Sequence, residues 1–266
     1  MILAVEECDF VNEPVCAPAE VSELFVFTDT LWNTPITRTI FLTGLVALIV
    51  VVVLYLAYRN REPVPTKFQA MIDSVTGFVK DEVAIGIIGP EGAKYLPYLL
   101  SIFMFILVGN LFEITPFINF PITSRMAIPA FLAVVTWFIF VIVGFAKNGF
   151  SYFLDVVWPR SVPIAMRPLV GVIEFFSVFF IRPFSLAVRL FANMVAGHVM
   201  LSLLLVTGFV FVINIGEIPL KGMFGFAWFA LGLGIFLFEI MVAVLQAYIF
   251  TLLSAVYIQT SVHPEH

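Results

Sequence analysis

Arg182 to Leu201 reads RPFSLAVRLFANMVAGHVML, a run so apolar that it belongs inside a bilayer, yet it carries an arginine at position 189. A guanidinium stays protonated up to a pKa of about 12 and is costly to hold in hydrocarbon, so Arg189 is where a function must be sought. At about 100° per residue, Ser185, Arg189, Asn193 and Ala196 fall on one stripe of a helix, with Arg182 close to the same line and His198 about half a turn away.

The rest of the chain agrees with a membrane setting. Hydrophobic residues make up 62% of the 266 positions and charged ones 12%; the mean hydropathy is +1.09. These values exclude an ordinary soluble domain. They predict an all-α polytopic membrane protein, whose unit is a span of about 20 apolar residues. Such runs lie between Arg38 and Arg59, from Tyr95 towards Phe112, from Met126 to Ala146, from near Leu169 to about Val212, and from Gly222 to about Val262. The last two exceed what a perpendicular crossing needs and must tilt strongly, bend or break, with Pro183 as a candidate kink. Glu239, Gln246 and Tyr257 share a stripe on the last run, so each long helix carries a polar line at membrane depth. Polar lines in lipid face a partner helix or a water-filled cavity, because an unpaired polar group there costs several kcal/mol.

Between the first two spans, Phe68, Met71, Ile72, Val75, Phe78, Val79 and Val83 recur at helical spacing, which predicts an amphipathic helix in the membrane interface or against a neighbouring subunit. Gly86, Gly89, Pro90 and Gly92 are expected to end it. No Lys or Arg precedes Arg38, whereas Arg59, Arg61, Lys67 and Lys80 follow the first span, which puts the amino terminus outside and, after five crossings, the carboxyl terminus in the cytoplasm. The expected division is therefore an acidic extracytoplasmic tail over 1–35, a membrane domain over 36–262 and a cytoplasmic tail over 263–266. Cys8 and Cys16 fall in the outer tail, where a disulfide is open to them; a zinc site is disfavoured because no histidine or further cysteine is near. The acids of that tail, with no basic residue among them, account for the net charge of −5, and without a basic stripe nucleic acid binding is excluded.

Plainer roles exist for these residues. Arg182 suits an interfacial residue that snorkels beside a kink. Glu113 and Glu174 suit buried acids held by a neighbour as well as members of a proton path. A histidine such as His198 is often a core residue. A merely structural cation at 189 would not need the polar stripe of Ser185 and Asn193.

RPFSLAVRLFANMVAGHVML, together with LFEIMVAVLQAYIFTLLSAVYI at 237–258 and GNLFEITPF at 109–117, resembles the family of subunit a of the bacterial rotary ATP synthase. The resemblance covers about 35–262 and leaves the acidic tail out. It implies the static half of a proton channel with two offset half-channels, in a bacterial plasma membrane. Arg189 would face the carboxylates of a rotor ring of c subunits, with Asn193 one turn on and Gln246 nearby. His198 and Glu239 match a histidine and acid pair found in either order. Glu174, Ser185, Glu113 and Tyr257 become accessory polar positions, and the two long helices a near-horizontal hairpin around the rotor. Implied partners are the c ring, peripheral-stalk b subunits and the whole complex, together with protons, water and lipid; no cofactor is implied. With no GxxxxGK[ST], HExxH or GxSxG pattern, nucleotide chemistry belongs to other subunits. Two rival classes are a proton-coupled secondary transporter, which lacks visible inverted halves, and a structural subunit of a respiratory complex.

Overall fold

The computed structural model describes residues 38–59, 65–115, 122–159, 162–216 and 219–262. The acidic tail with Cys8 and Cys16, the last four residues and the Glu113 side chain lie outside the described residues. Among those described every regular element is helical: α1 Arg38–Arg59, α2 Lys67–Phe78, α3 Leu96–Ile114, α4 Ala127–Asn148, α5 Ser151–Val157, α6 Arg167–Phe176, α7 Arg182–Ile213 and α8 Pro219–Val262, joined in places by short 3-10 and π turns.

Four stretches are long and apolar enough to cross a bilayer, Thr39–Arg59, Ala127–Asn148, Arg167–Ile213 and Gly222–Val262, and the shorter apolar helix Leu96–Phe112 adds the fifth expected run. α8 has 44 residues. At 1.5 Å per residue a helix of that size is about 66 Å long against a hydrocarbon core of about 30 Å, so it cannot stand upright within the core. Pro219 opens it, where a missing N–H costs nothing.

α2 starts at a capping box: the Gln69 N–H donates to Thr66 Oγ1 at 3.3 Å and the Thr66 N–H to Gln69 Oε1 at 3.0 Å. The helix does not stop at Gly86. It widens into a π-helical stretch, Val79–Ile88, and ends at Gly89, whose φ of 92° an L side chain rarely adopts. Gly92 then folds back so closely that a Cβ there would overlap the Ala84 carbonyl oxygen. The apolar face is split as well: Ile72, Val79 and Val83 are buried, whereas Phe68, Met71 and Phe78 remain exposed. At Pro183 the helix is unbroken, and the strain is taken up by a wide turn, Ser177–Ile181, just before it.

The chain forms two compact units. The first gathers the described parts of Met1–Gly44, Gly109–Arg125 and Ala192–Leu245. Its body is an antiparallel hairpin of α7 and α8 in which steps away from the turn match: Gly222 meets Ile215, Gly225 meets Phe211, Phe229 meets Gly208, Gly232 meets Leu205, and Glu239 meets Gly197. On α7 the buried positions Met194, Leu201 and Gly208 recur every seven residues, as do Gly197, Leu204 and Phe211; on α8 Gly225, Gly232 and Glu239 do the same. A seven-residue repeat keeps one seam facing the partner helix, and small residues let the backbones approach.

The second unit gathers the described parts of Leu45–Val108, Met126–Phe191 and Gln246–His266. Leu99, Ile106, Phe140, Leu186, Leu190, Phe250 and Ile258 are buried. Its corner between α4 and α5 turns at Gly149, with φ 59°, and Gly144 leaves room for the Tyr152 ring, which a Cβ there would meet at 2.7 Å.

Candidate functional site

Glu239 and His198 are both 4% exposed, in a hairpin whose outward faces are apolar. The seam explains how an acid fits there. Glu239 occupies the position that glycine holds one and two repeats earlier, at Gly232 and Gly225. Opposite it stands Gly197, where an added Cβ would come within 2.5 Å of both carboxylate oxygens. The missing side chain is thus the space the carboxylate fills, at the residue that precedes His198 in the chain. Asn193, one turn earlier on α7, is exposed, so the polar stripe read from the sequence opens outward at this point while the Glu239 line is enclosed.

In the second unit, Ser185 and Arg189 are half-buried on the start of α7, and Gln246 is 2% exposed on α8. No carboxylate among the described residues forms an ion pair with Arg189. The Tyr257 phenol lies within electrostatic reach of both Arg189 and Arg182. Arg182 is fixed from two sides: it donates to Thr260 Oγ1 at 3.1 Å, and its guanidinium carbon lies 5.2 Å from the centre of the Tyr257 ring. Glu174 is close enough to Arg182 for the charges to interact. Arg182 is therefore more than a snorkelling residue, since it ties α7 to the end of α8.

Several polar groups escaped the sequence reading. The Tyr98 phenol bonds Thr136 Oγ1 at 2.7 Å and also Ser254, joining α3, α4 and α8. Thr136 and Ser254 each donate to their own helix, to Leu132 and Phe250 carbonyls at 2.8 Å. A phenol has one proton, so it satisfies only one of two hydroxyls whose own protons are already engaged. Isolated Thr and Ser inside apolar spans were the available signal. At the end of α8, Asn148 Nδ2 donates to the Ser261 carbonyl at 2.9 Å and Tyr152 shares a hydroxyl contact of 3.3 Å with Ser261. Asn110, fully buried in the first unit, accepts from Thr123 Oγ1 at 3.1 Å. No group of three or more His, Cys, Asp or Glu side chains among the described residues could hold a metal ion.

A family model described as ATP synthase A chain matches residues 40–259. The chain belongs to the ATP synthase A chain family. It is 42% identical over 230 residues to ATP synthase subunit a of Frankia alni, a match covering 85% of this chain and 77% of that protein. To ATP synthase subunit a of Maricaulis maris it is 36% identical over 253 residues, 93% of this chain and 96% of the relative. That of Dinoroseobacter shibae is 36% identical over 246 residues, covering 92% and 93%. The ATP synthase A chain match takes in every candidate residue from Glu113 to Tyr257 and stops short of the acidic tail. This member of the family is an all-α, multi-pass membrane protein.

Proposed function

We propose that this chain is the stator side of the proton channel of a rotary ATP synthase, with Arg189 as its electrostatic gate. Family membership supports a proton-channel membrane subunit. The observation that carries the finer reading is Arg189 itself: a permanent cation, half-buried in an apolar helix, that no acid among the described residues neutralises. A rotor carboxylate surrounded by lipid is held protonated, because a bare charge there is costly; beside Arg189 the ionised form is favoured. Each carboxylate must then release its proton on arrival and take another before returning to lipid. The same charge repels a proton hopping straight across, so protons travel with the ring, and flux becomes rotation. Each proton crossing 100 mV supplies about 2.3 kcal/mol, so several are needed per ATP made elsewhere in the assembly.

The other groups take roles that fit their placement. His198 and Glu239, enclosed in the hairpin, form an acid and base pair that loads protons from the outer half-channel, since an imidazole and a carboxylate can each accept a proton and pass it on. Gln246 and Asn193 orient water or the guanidinium by hydrogen bonds. Ser185, Glu174, Tyr257 and Glu113 are accessory positions. The partners are the c ring and the peripheral-stalk b subunits in a bacterial plasma membrane, with the amino terminus outside; the chain itself carries out no catalysis.

Arg189→Ala and Arg189→Lys in the complete complex test this. Assembly on native gels should be unchanged while proton-driven ATP synthesis disappears. Synthesis at the parent rate in Arg189→Ala overturns the gate, and loss of assembly without a specific transport defect would point to a structural subunit instead.

A further inference from the structure

Glu174 stands eight residues before Arg182. On an unbroken α-helix eight steps turn about 800°, which leaves two side chains about 80° apart. The structure nevertheless brings Glu174 within electrostatic reach of Arg182. Between them lies the wide turn Ser177–Ile181, where the Arg182 N–H reaches back five residues to the Ser177 carbonyl, so that one turn holds an extra residue. With that residue absorbed, eight positions act as seven α-helical steps, which return to within about 20° of the start. Arg182 and Arg189 are also seven residues apart, so a single line runs through Glu174, Arg182 and Arg189.

Packing holds this phase. Pro183 has no N–H to give the Phe179 carbonyl, and its ring crowds that carbonyl, which favours widening here. Phe179 rests against Phe175 at 4.8 Å, Trp137 at 5.9 Å and Phe153 at 6.4 Å between ring centres, which fixes the wide turn to α4 and α5. Thr260 and Tyr257 hold Arg182 in place from α8. We infer that the wide turn is a phase-setting element that puts Glu174 on the line of Arg182 and Arg189, with Arg182 as the positioning residue for that acid. The inference rests on the channel reading above and adds to it a geometric requirement on α6.

Deleting Phe180, which is 58% exposed, removes the extra residue and leaves Glu174 on the line in a plain α-helix. Complexes with this deletion should assemble and keep proton-driven ATP synthesis within about threefold, whereas an alanine inserted after Phe180 turns Glu174 away by about 100° and should cost at least about tenfold. Equal loss in both, or no loss in either, at normal assembly overturns the phase role. If the length variants do not assemble, Glu174→Gln, Arg182→Gln and the pair decide through passive proton conductance of the assembled complex. A coupled pair makes the double variant no worse than the poorer single, with partial recovery in Glu174→Asp; independent, multiplying losses overturn it. Arg189→Ala tells the two readings apart, because retained synthesis there removes the channel reading itself, while a failed phase test leaves it standing.

Discussion

At the residue scale, which atom a new methyl group meets decides its cost. On Gly208 a Cβ would stand 2.6 Å from the Phe229 backbone nitrogen, which cannot move without opening the hairpin. On Gly232 it would meet the Leu205 Cδ2 at 2.7 Å, the end of a side chain that can turn aside. Gly208→Ala should therefore destabilise the hairpin by about 1–3 kcal/mol and Gly232→Ala by less, read as the order of thermal inactivation in detergent. The reverse order would mean that the seam is not packed as described. Gly197→Ala belongs to a different class. The atoms in its way are the Glu239 carboxylate oxygens at 2.5 Å, so the helix should survive while the acid is displaced. The expected outcome is an assembled complex with proton-driven synthesis lowered about tenfold or more, as a displacement of about 1 Å at a proton-transfer site allows. Normal synthesis in this variant would count against a role for Glu239.

At the element scale, the end of α8 depends on a corner made by α4 and α5. Tyr152 is buried there against Gly144 and bonded to Ser261, and burial pushes its phenol up from the ordinary value of 10.0. The folded corner prefers the protonated phenol. Its contribution is complete below about pH 10 and is lost above it, as the unfolded chain ionises first and the folded phenol follows. Protection of the Tyr257–Val262 amides against hydrogen exchange, taken relative to the intrinsic rate at each pH, should therefore fall above about pH 10 in the parent, and Tyr152→Phe should remove that fall. An unchanged alkaline loss of protection in Tyr152→Phe would assign it to another group. This corner also shows where the sequence ran short. The spans and both polar lines were legible, because hydrophobic runs and a period of 3.6 residues are local properties. The wide turns at Val79–Ile88 and Ser177–Ile181 were not, since they record how a helix accommodates distant packing and a proline downstream. The seven-residue spacing of Gly225, Gly232 and Glu239 was written in the chain, but only the opposing Gly197 shows that it is a seam. Tyr98, Thr136 and Ser254 come from three helices, and one-dimensional spacing cannot bring them together.

For the whole molecule, the proposed gate at Arg189 has a consequence for the chain by itself. His198 and Glu239 are buried in the first unit, and Arg182 lies over the Tyr257 ring in the second. In the channel proposed above, a continuous proton wire would dissipate the gradient, and the fixed charge of Arg189 opposes one, because a proton arriving beside a guanidinium meets a like charge in a medium of low dielectric. On that proposal, transport requires a mobile acid carried by the rotor ring. Purified protein in vesicles under a potassium-diffusion potential of about 100 mV should give a proton flux equal to that of lipid alone, although about 2.3 kcal/mol drives each charge. Adding the rotor ring should raise the flux, and with Arg189→Ala the ring-containing vesicles should leak without supporting ATP synthesis in the complete enzyme. A pH-sensitive dye inside the vesicles reads all three cases. Steady flux through the chain by itself would show a continuous path past Arg189, and the proposed gate would have to be given up.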